Sequence, residues 1–355
     1  MPDRVYLLVD GKLIEHFISY SAEADLYTAD HAFTLELANP EVQIKNGLEC
    51  SLWVNDVKEL SGIIDRVNPS YNKEGRKLRV EGRDLMGLVV DAYCEQFITI
   101  QGMPVTTLAN TLLKDVPFIQ RKDIIYEDLF TGKIKGRKKK GGSGGIFATA
   151  LSFAQIEPGR TKFEVLKEYS ASRGVLFYCR PDGTFVFGKP REKGEPMFRL
   201  LNEKGGTANN ILEGELDDNI SHRYSKITVI GQQQEAASMG GAGTTPSFNT
   251  QATLADPDFP FYKPYVHLDS NDSQSPALKA RWLMEKQRAD GFRITCKVAG
   301  HHQGTNNWAV NELCRVKDDA LGVEGVYLIY GRTFTMDKQD GVKTILKLGL
   351  PGMIQ

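Results

Sequence analysis

Asp10-Gly11 stands between two short runs of alternating character, Arg4 to Val9 and Lys12 to Tyr20, and that arrangement recurs through the first ninety residues. A two-residue connection of this kind needs positive φ at both positions, which Asp and Gly tolerate, and it folds its flanks into an antiparallel hairpin. Phe33, Leu35 and Leu37 alternate with polar residues, as do Cys50, Leu52 and Val54. Gly62 to Val67 and Arg76 to Val80 flank the turn cluster Tyr71-Asn72-Lys73-Glu74-Gly75. Half a dozen short strands at this spacing predict a small closed β-barrel over residues 1–92.

The pattern changes after Asp91. Pro104 opens a helical run with Val105, Leu108 and Leu112 on one face. Thr161 and Glu164 form a capping box for a second helix striped by Phe163, Leu166 and Tyr169, with Gly174 as its left-handed stop. Val175 to Cys179, the turn Pro181-Asp182-Gly183 and Thr184 to Phe187 then read as a hairpin. Residues 93–208 are thus a mixed α+β domain. From Asn210 strands return, at Ser225 to Ile230, Arg293 to Val298, Leu313 to Val316, Val326 to Phe334 and Lys343 to Leu350. A helix at 275–290 interrupts them, with Ser275 as cap, Pro276 in its first turn, and Leu278, Trp282 and Ala289 on one face. The expected fold class is α+β and β-rich: two similar small β-barrel domains, at 1–92 and 209–355, with an α+β domain between them.

Two stretches read as flexible. In 131–145, Lys133, Lys135, Arg137, Lys138, Lys139 and Lys140 place six basic residues in eight positions ahead of Gly141-Gly142-Ser143-Gly144-Gly145. The stretch 232–260 is rich in Gly, Ala, Ser and Thr. A hint of internal duplication accompanies the strands. Ile63-Ile64 precede Asn72-Lys73 as Leu328-Ile329 precede Asp337-Lys338, at an offset of 265 in both pairs. Strand-turn-strand patterns also recur by chance.

Chemistry is sparse. With 44 Lys and Arg against 45 Asp and Glu, the net charge of -1 argues against a general polyanion binder. The basic run could touch nucleic acid or an acidic partner, but it also reads as a solvated loop, and it has no interleaved aromatic residues for stacking. The five cysteines are dispersed without a C-x-x-C pair, which disfavours a zinc site or disulfide framework. Gly141-Gly142-Ser143-Gly144-Gly145 satisfies a hydrolase elbow formally but lacks the preceding buried strand. Adjacent His301 and His302 point to opposite faces of a strand, and His16, His31, His222 and His267 show no ligand spacing. The carboxylate pairs Asp217-Asp218 and Asp318-Asp319 lie in turn-like contexts, so a glycan hydrolase is the weaker reading. No catalytic residue, metal or cofactor is assigned. The charged start, Met1-Pro2-Asp3-Arg4, has no apolar signal core, and no uncharged stretch is long enough to span a bilayer.

The order of features nevertheless resembles a family. The Val5 to Gly11 hairpin is followed by Gly62-Ile63-Ile64-Asp65, then by Val80-Glu81-Gly82-Arg83-Asp84-Leu85 running into Leu88-Val89-Val90-Asp91. In the C-terminal third come Ala280-Arg281-Trp282, Val298-Ala299-Gly300-His301, Trp308 to Asn311 and Leu328-Ile329. This succession resembles the baseplate hub, or tail, proteins of Mu-like contractile phages. The wider family takes in late-control D tail proteins and the N-terminal part of type VI secretion spikes. The resemblance implies a non-enzymatic virion component, assembled in the host cytoplasm as a homotrimer. Its pseudo-sixfold ring would join a sixfold tail tube or tape-measure protein above to a separate threefold spike below, with DNA as passing cargo. The chain stops soon after its last predicted strand, so the spike is expected to be another polypeptide. Gly82, Arg83 and Asp84 match the family's marker and read as structural: Gly82 for a backbone bend, Arg83 for a buried ion pair, and Asp84 as helix cap. The alternatives left open are a phage-borne glycan or peptidoglycan hydrolase and a host-surface binding protein.

Overall fold

The computed structural model describes residues 3–73, 75–100, 103–118, 124–127, 154–171, 175–232, 249–269 and 276–352. The first unit comprises β1 (Val5–Val9), β2 (Lys12–Ile14), β3 (Phe17–Asp25), β4 (Ala32–Ala38), β5 (Glu49–Val54), β6 (Val57–Asn72) and β7 (Gly75–Asp84). Asp10 and Gly11 take φ of 50° and 72°, and Val9 faces Lys12, so the first hairpin closes as its dipeptide requires. These strands are ordered β3-β4-β7-β6-β5-β1-β2.

The middle unit follows, with α1 (Met86–Asp91), β8 (Ile98–Ile100), α2 (Val105–Leu113), β9 (Ile124–Tyr126), β10 (Ala154–Ile156), α3 (Lys162–Ala171), β11 (Leu176–Cys179) and β12 (Phe185–Gly188). Its core gathers Val105, Leu108 and Leu112 of α2 with Phe163 and Leu166 of α3. Phe177 and Phe187, on the β11–β12 hairpin, stack at 4.5 Å within the same core. The capping box of α3 is complete: Glu164 N–H donates to Thr161 Oγ1 at 3.1 Å, and Thr161 N–H donates to Glu164 Oε2 at 2.9 Å. Thr161→Ala should therefore destabilise the middle unit by about 1 kcal/mol, read as a lower urea midpoint, while Thr161→Ser should be nearly silent. Gly174, Ser275 and the run Lys133 to Lys140 with its glycines lie outside the described residues.

The remaining elements are β13 (Phe198–Asn202), β14 (Ile211–Asp218), β15 (Lys226–Gln232), β16 (Asn249–Ala255), β17 (Pro264–Asp269), α4 (Pro276–Asp290), β18 (Phe292–Ala299), β19 (His302–Gln303), β20 (Asn306–Asn307), β21 (Glu312–Asp318), β22 (Val323–Asp337) and β23 (Gly341–Gly349). Within the stretch 232–260 that composition marks as loose, residues 249–255 form β16, paired along its length with β15. Strands β16-β15-β17 make a separate small sheet, and α4 covers it with Ala280 and Met284 against Ile227 and Val229. Its corner is tied by Asp256, which both Arg223 and Arg288 bond.

The β-rich α+β class is as expected, but the two closed barrels are not what forms. Among the described residues neither unit closes on itself. A single ladder runs β14-β18-β23-β22-β3-β4-β7-β6-β5-β1-β2, with β13 and β21 branching from β22, so both units share one 13-stranded sheet. The reason is the length of β22. Its first half pairs with β21, and on the same edge its second half, Gly331 to Met336, accepts β3 in place of a strand from its own unit. One core accordingly spans both units, holding Leu7, Leu35 and Val80 together with Ile294, Phe334 and Leu348.

The duplication hinted at by the 265-residue offset is present in the strand order. The path β3-β4-β7-β6-β5-β1 is matched element by element by β14-β18-β23-β22-β21-β13. The irregularities match too. β6 bulges between Ile64 and Arg66 against β7, and β22 bulges between Ile329 and Gly331 against β23. β3 bulges between Phe17 and Ser19, and β14 between Ile211 and Glu213. Bulges re-aim and twist a strand, so coincidence of all four reflects one local geometry used twice. The copies differ at β13, which runs parallel to β21 where β1 is antiparallel to β5.

Candidate functional site

The joint between the two units is where the buried polar chemistry collects. Arg332, on β22, is 4% exposed and donates to Glu59 Oε2 at 2.6 Å and to the Trp308 carbonyl at 2.7 Å. Asn307 Nδ2 reaches Glu59 Oε1 at 2.7 Å and the Val54 carbonyl at 2.8 Å. The Arg332 guanidinium also lies 3.9 Å over the Phe334 ring. A buried ion pair of this kind is costly to break and specifies register, because a slip of one unit past the other would part Arg332 from Glu59 and strand both charges away from water.

Beside it, His301 is fully buried with its two nitrogens 2.6 Å from Tyr20 Oη and 3.0 Å from Thr344 Oγ1. Thr344 donates its own proton to the Gly300 carbonyl, so its oxygen accepts from Nδ1–H, and Nε2 accepts from the Tyr20 hydroxyl. That chain fixes the neutral imidazole. Burial lowers the His301 pKa to about 4, against the pull of Asp3. The adjacent His302 has its Nδ1 3.0 Å from the Gly304 carbonyl. The expected strand alternation is not the cause, because His301 lies in the bend between β18 and β19, after Gly300 at φ 71°. An open groove of about 900 Å³ borders this joint, lined by Tyr20 and Asn307 together with Asp3, Arg4, Glu15 and Asn55. Among the described residues no three His, Cys, Asp or Glu side chains are grouped to hold a metal ion.

The marker triplet lies at the end of β7. Gly82 sits mid-ladder between Phe33 and Ile64 instead of in a bend, and a Cβ there would come within 2.4 Å of the Ile63 carbonyl and 2.6 Å of the Phe33 ring. Close packing is its constraint. Arg83 is half-buried and binds three carboxylates, Asp65 at 2.8 Å, Asp91 at 2.6 Å and Asp30 at 3.2 Å, which tie β6 and α1 to β7 and push its pKa up. Asp84 Oδ1 accepts from Met86 N–H at 3.1 Å at the mouth of α1, while Oδ2 lies 3.2 Å from His31 Nδ1. Burial raises the Asp84 pKa to about 6, against the lowering effect of His31.

These two buried groups act on stability in opposite senses. His301 binds its proton less readily when folded, so its contribution is complete above pH 6.5 and is lost as pH falls towards 4. Asp84 holds its proton more readily when folded, so its contribution is complete near pH 4 and is lost as pH rises towards 6. Each is worth up to about 3 kcal/mol, and they offset one another in the intact chain. Relative to that chain, Asp84→Asn should make stability fall on acidification from pH 7 to 4.5, and His301→Gln should make it rise. Unfolding midpoints at four pH values check both slopes.

The second face of the shared sheet is polar. Opposite the buried Leu35, Val80 and Leu346 stand Glu36, Glu81 and Lys347. Charges of both signs are interleaved there, with Lys347 bonded to Asp25 at 3.2 Å and Lys297 shared between Glu213 and Asp340. Two edges end the eight-strand run from β14 to β6. Among the described residues the outer edge of β14 is without a partner, and residues 213–215 and 217–218 are exposed. Among the described residues the second half of β6 carries β7 on one edge and nothing on the other, with Tyr71 88% exposed.

Comparison with known proteins shows what this duplicated pair of β units, sharing one sheet around an ion-paired joint, is similar to. Residues 4–84 match the N-terminal domain of the GpP-like baseplate assembly protein of phage Mu. Residues 223–282 match the third domain of the NMB1110-like tail protein, and 286–353 a tail-protein C-terminal domain. Three separate stretches of the chain thus match domains of Mu-like baseplate and NMB1110-like tail proteins. In fold it is similar to the tail protein from Neisseria meningitidis MC58, with 24% identity, TM-score 0.79, and 98% of this chain and 97% of that one covered. It is similar also to the 43 kDa tail protein of prophage MuSo2 from Shewanella oneidensis, with 19% identity, TM-score 0.76, and 98% of both chains covered. A type VI secretion component, the E. coli c3393 protein, shares the fold at 12% identity and TM-score 0.57 over 97% of this chain and 76% of that one. No curated protein sequence matches the chain.

Sequence reasoning found Gly82, Arg83 and Asp84 through the family marker. It passed over Glu59, Asn307 and Arg332, whose only local signal is a charged or amide residue within apolar alternation.

Proposed function

We propose that this protein is the baseplate hub of a contractile phage or prophage tail: three copies form a pseudo-sixfold ring between the sixfold tube and the threefold spike, around a passage for DNA. The observation that carries the reading is the β3–β22 joint. It sets two equivalent units edge to edge within one polypeptide, so that three chains supply six similar positions under threefold symmetry. The polar sheet face supports a passage: mixed charge gives the phosphate backbone no net attraction to hold it in transit. The partners are then two further copies, a separate spike protein, and the tail tube or tape-measure protein. The work is geometric matching without bond-making chemistry, and its place is the virion baseplate after assembly in the host cytoplasm. Light scattering and negative-stain images of the purified chain test this. A ring of three times the chain mass with a central opening is expected, and a compact monomer at micromolar concentration removes the reading.

A further inference from the structure

Resting on the ring reading, we infer that its joints are antiparallel strand pairs between β6 of one copy and β14 of the next, in a register running from Arg66 opposite Asn219 to Tyr71 opposite Gly214. The register comes from the joint inside the chain. There β22 meets β3 with Gly331 opposite Asp25 and Met336 opposite Tyr20. The matched bulges set Gly331 equivalent to Arg66 on β6, and Phe17 equivalent to Ile211 on β14. Carrying the pairing through that equivalence gives Val67 opposite Asp218, Asn68 opposite Asp217, Pro69 opposite Leu216 and Ser70 opposite Glu215.

Both edges present the hydrogen-bonding groups this ladder needs. Leu26 N–H bonds the Tyr330 carbonyl in line with the inner ladder, so Arg332, Phe334 and Met336 turn their amides towards β3. By the same parity Val67, Pro69 and Tyr71 turn theirs to the open edge of β6. On β14, Asn219 N–H bonds the Gly291 carbonyl on the β18 side, which leaves Gly214, Leu216 and Asp218 facing outward. Pro69 withholds one donor, so five of the six bonds form, and the same proline discourages strands in other registers.

Side chains agree on both faces. Towards the core, the exposed Tyr71 ring covers Gly214, with Leu212 (54% exposed) and Leu216 beside it. On the polar face, the inner joint has Lys347 reaching past Gly331 on the intervening strand to Asp25. The strict counterpart there is Glu81 beside Arg66 and Asn219. The same across-strand geometry two and four residues further along sets Arg79, which now pairs with Glu81, to reach past Asn68 to Asp217, and Lys77 past Ser70 to Glu215. The β14 edge is acidic, with Glu213, Glu215, Asp217 and Asp218, and the β6–β7 tip is basic, with Arg66, Arg76, Lys77 and Arg79. Eight strands from β14 to β6 in each of three copies would close one continuous wall of 24 strands. At strand spacings of about 4.8 Å and a tilt of about 40° its backbone diameter is about 45–50 Å.

Paired cysteines test the register. Asn68 and Asp217 form a non-hydrogen-bonded pair with Cα atoms about 4.5 Å apart, within disulfide range. In one chain they lie seven ladder steps apart, and all five native cysteines are buried. The Asn68→Cys/Asp217→Cys chain should give covalent trimers on mild oxidation. The Asn68→Cys/Asp218→Cys chain should not, because one residue of slip turns the thiol to the other face. Lys77→Glu/Arg79→Glu should weaken assembly, and adding Glu215→Lys/Asp217→Lys to the same chain should restore it. Rings that assemble without the 68–217 cross-link overturn the pairing and leave the ring standing, whereas a chain that stays monomeric overturns both.

Discussion

Glu59→Ala should lower the unfolding free energy by about 3–5 kcal/mol. The substitution leaves Arg332 charged, 4% exposed and without its carboxylate, and it also strips Asn307 of an acceptor. The penalty is the desolvation of a stranded guanidinium, far larger than the net worth of the intact pair. Exchanging both partners for apolar residues of similar volume, Glu59→Leu with Arg332→Met, should therefore recover much of the loss. Urea unfolding of the three chains measures it, and a cost below about 1 kcal/mol for Glu59→Ala would show that the pair is hydrated. Because these residues join the two halves of the shared sheet, the single variant should also loosen the β3–β22 pairing on which the proposed ring depends.

Phe334→Ala carries the second large effect, about 3–5 kcal/mol. Phe334 is fully buried, lies 4.4 Å from the His301 ring and under the Arg332 guanidinium, and stands opposite Ala22 across the joint. Small neighbours on β3 have nothing with which to fill the space, so a cavity remains where the two units meet. Phe334→Leu keeps most of the volume and should cost less than half as much. A Phe334→Ala chain as stable as Phe334→Leu would mean that the joint collapses freely and that its packing does not set the geometry.

Much of the local structure was legible. Asp10-Gly11 specified its turn because two positive-φ positions admit few residues, and Thr161 with Glu164 specified its helix start because both partners lie within one turn. The helix opened by Pro104 and the hairpin around Pro181-Asp182-Gly183 formed for similar reasons. Barrel closure was the wrong expectation. Alternation tells which face of a strand is buried but not which strand lies beside it, and the long β22 accepted β3 from some three hundred residues away. The His301 site was equally hidden, since its partners Tyr20 and Thr344 come from different units.

By itself the sequence determined the β-rich class, the hairpins, the capped helices, and, through an order of short motifs, the likeness to phage-tail proteins. Those features depend on interactions a few residues apart, whose preferences are written in adjacent side chains. The tertiary structure alone decided that the halves share one sheet, that Glu59 and Arg332 lock them together, and that among the described residues β14 and the end of β6 remain open. Edge pairing is made by backbone amides that every residue carries, so its partner is chosen by shape, register and buried charge once the chain has folded.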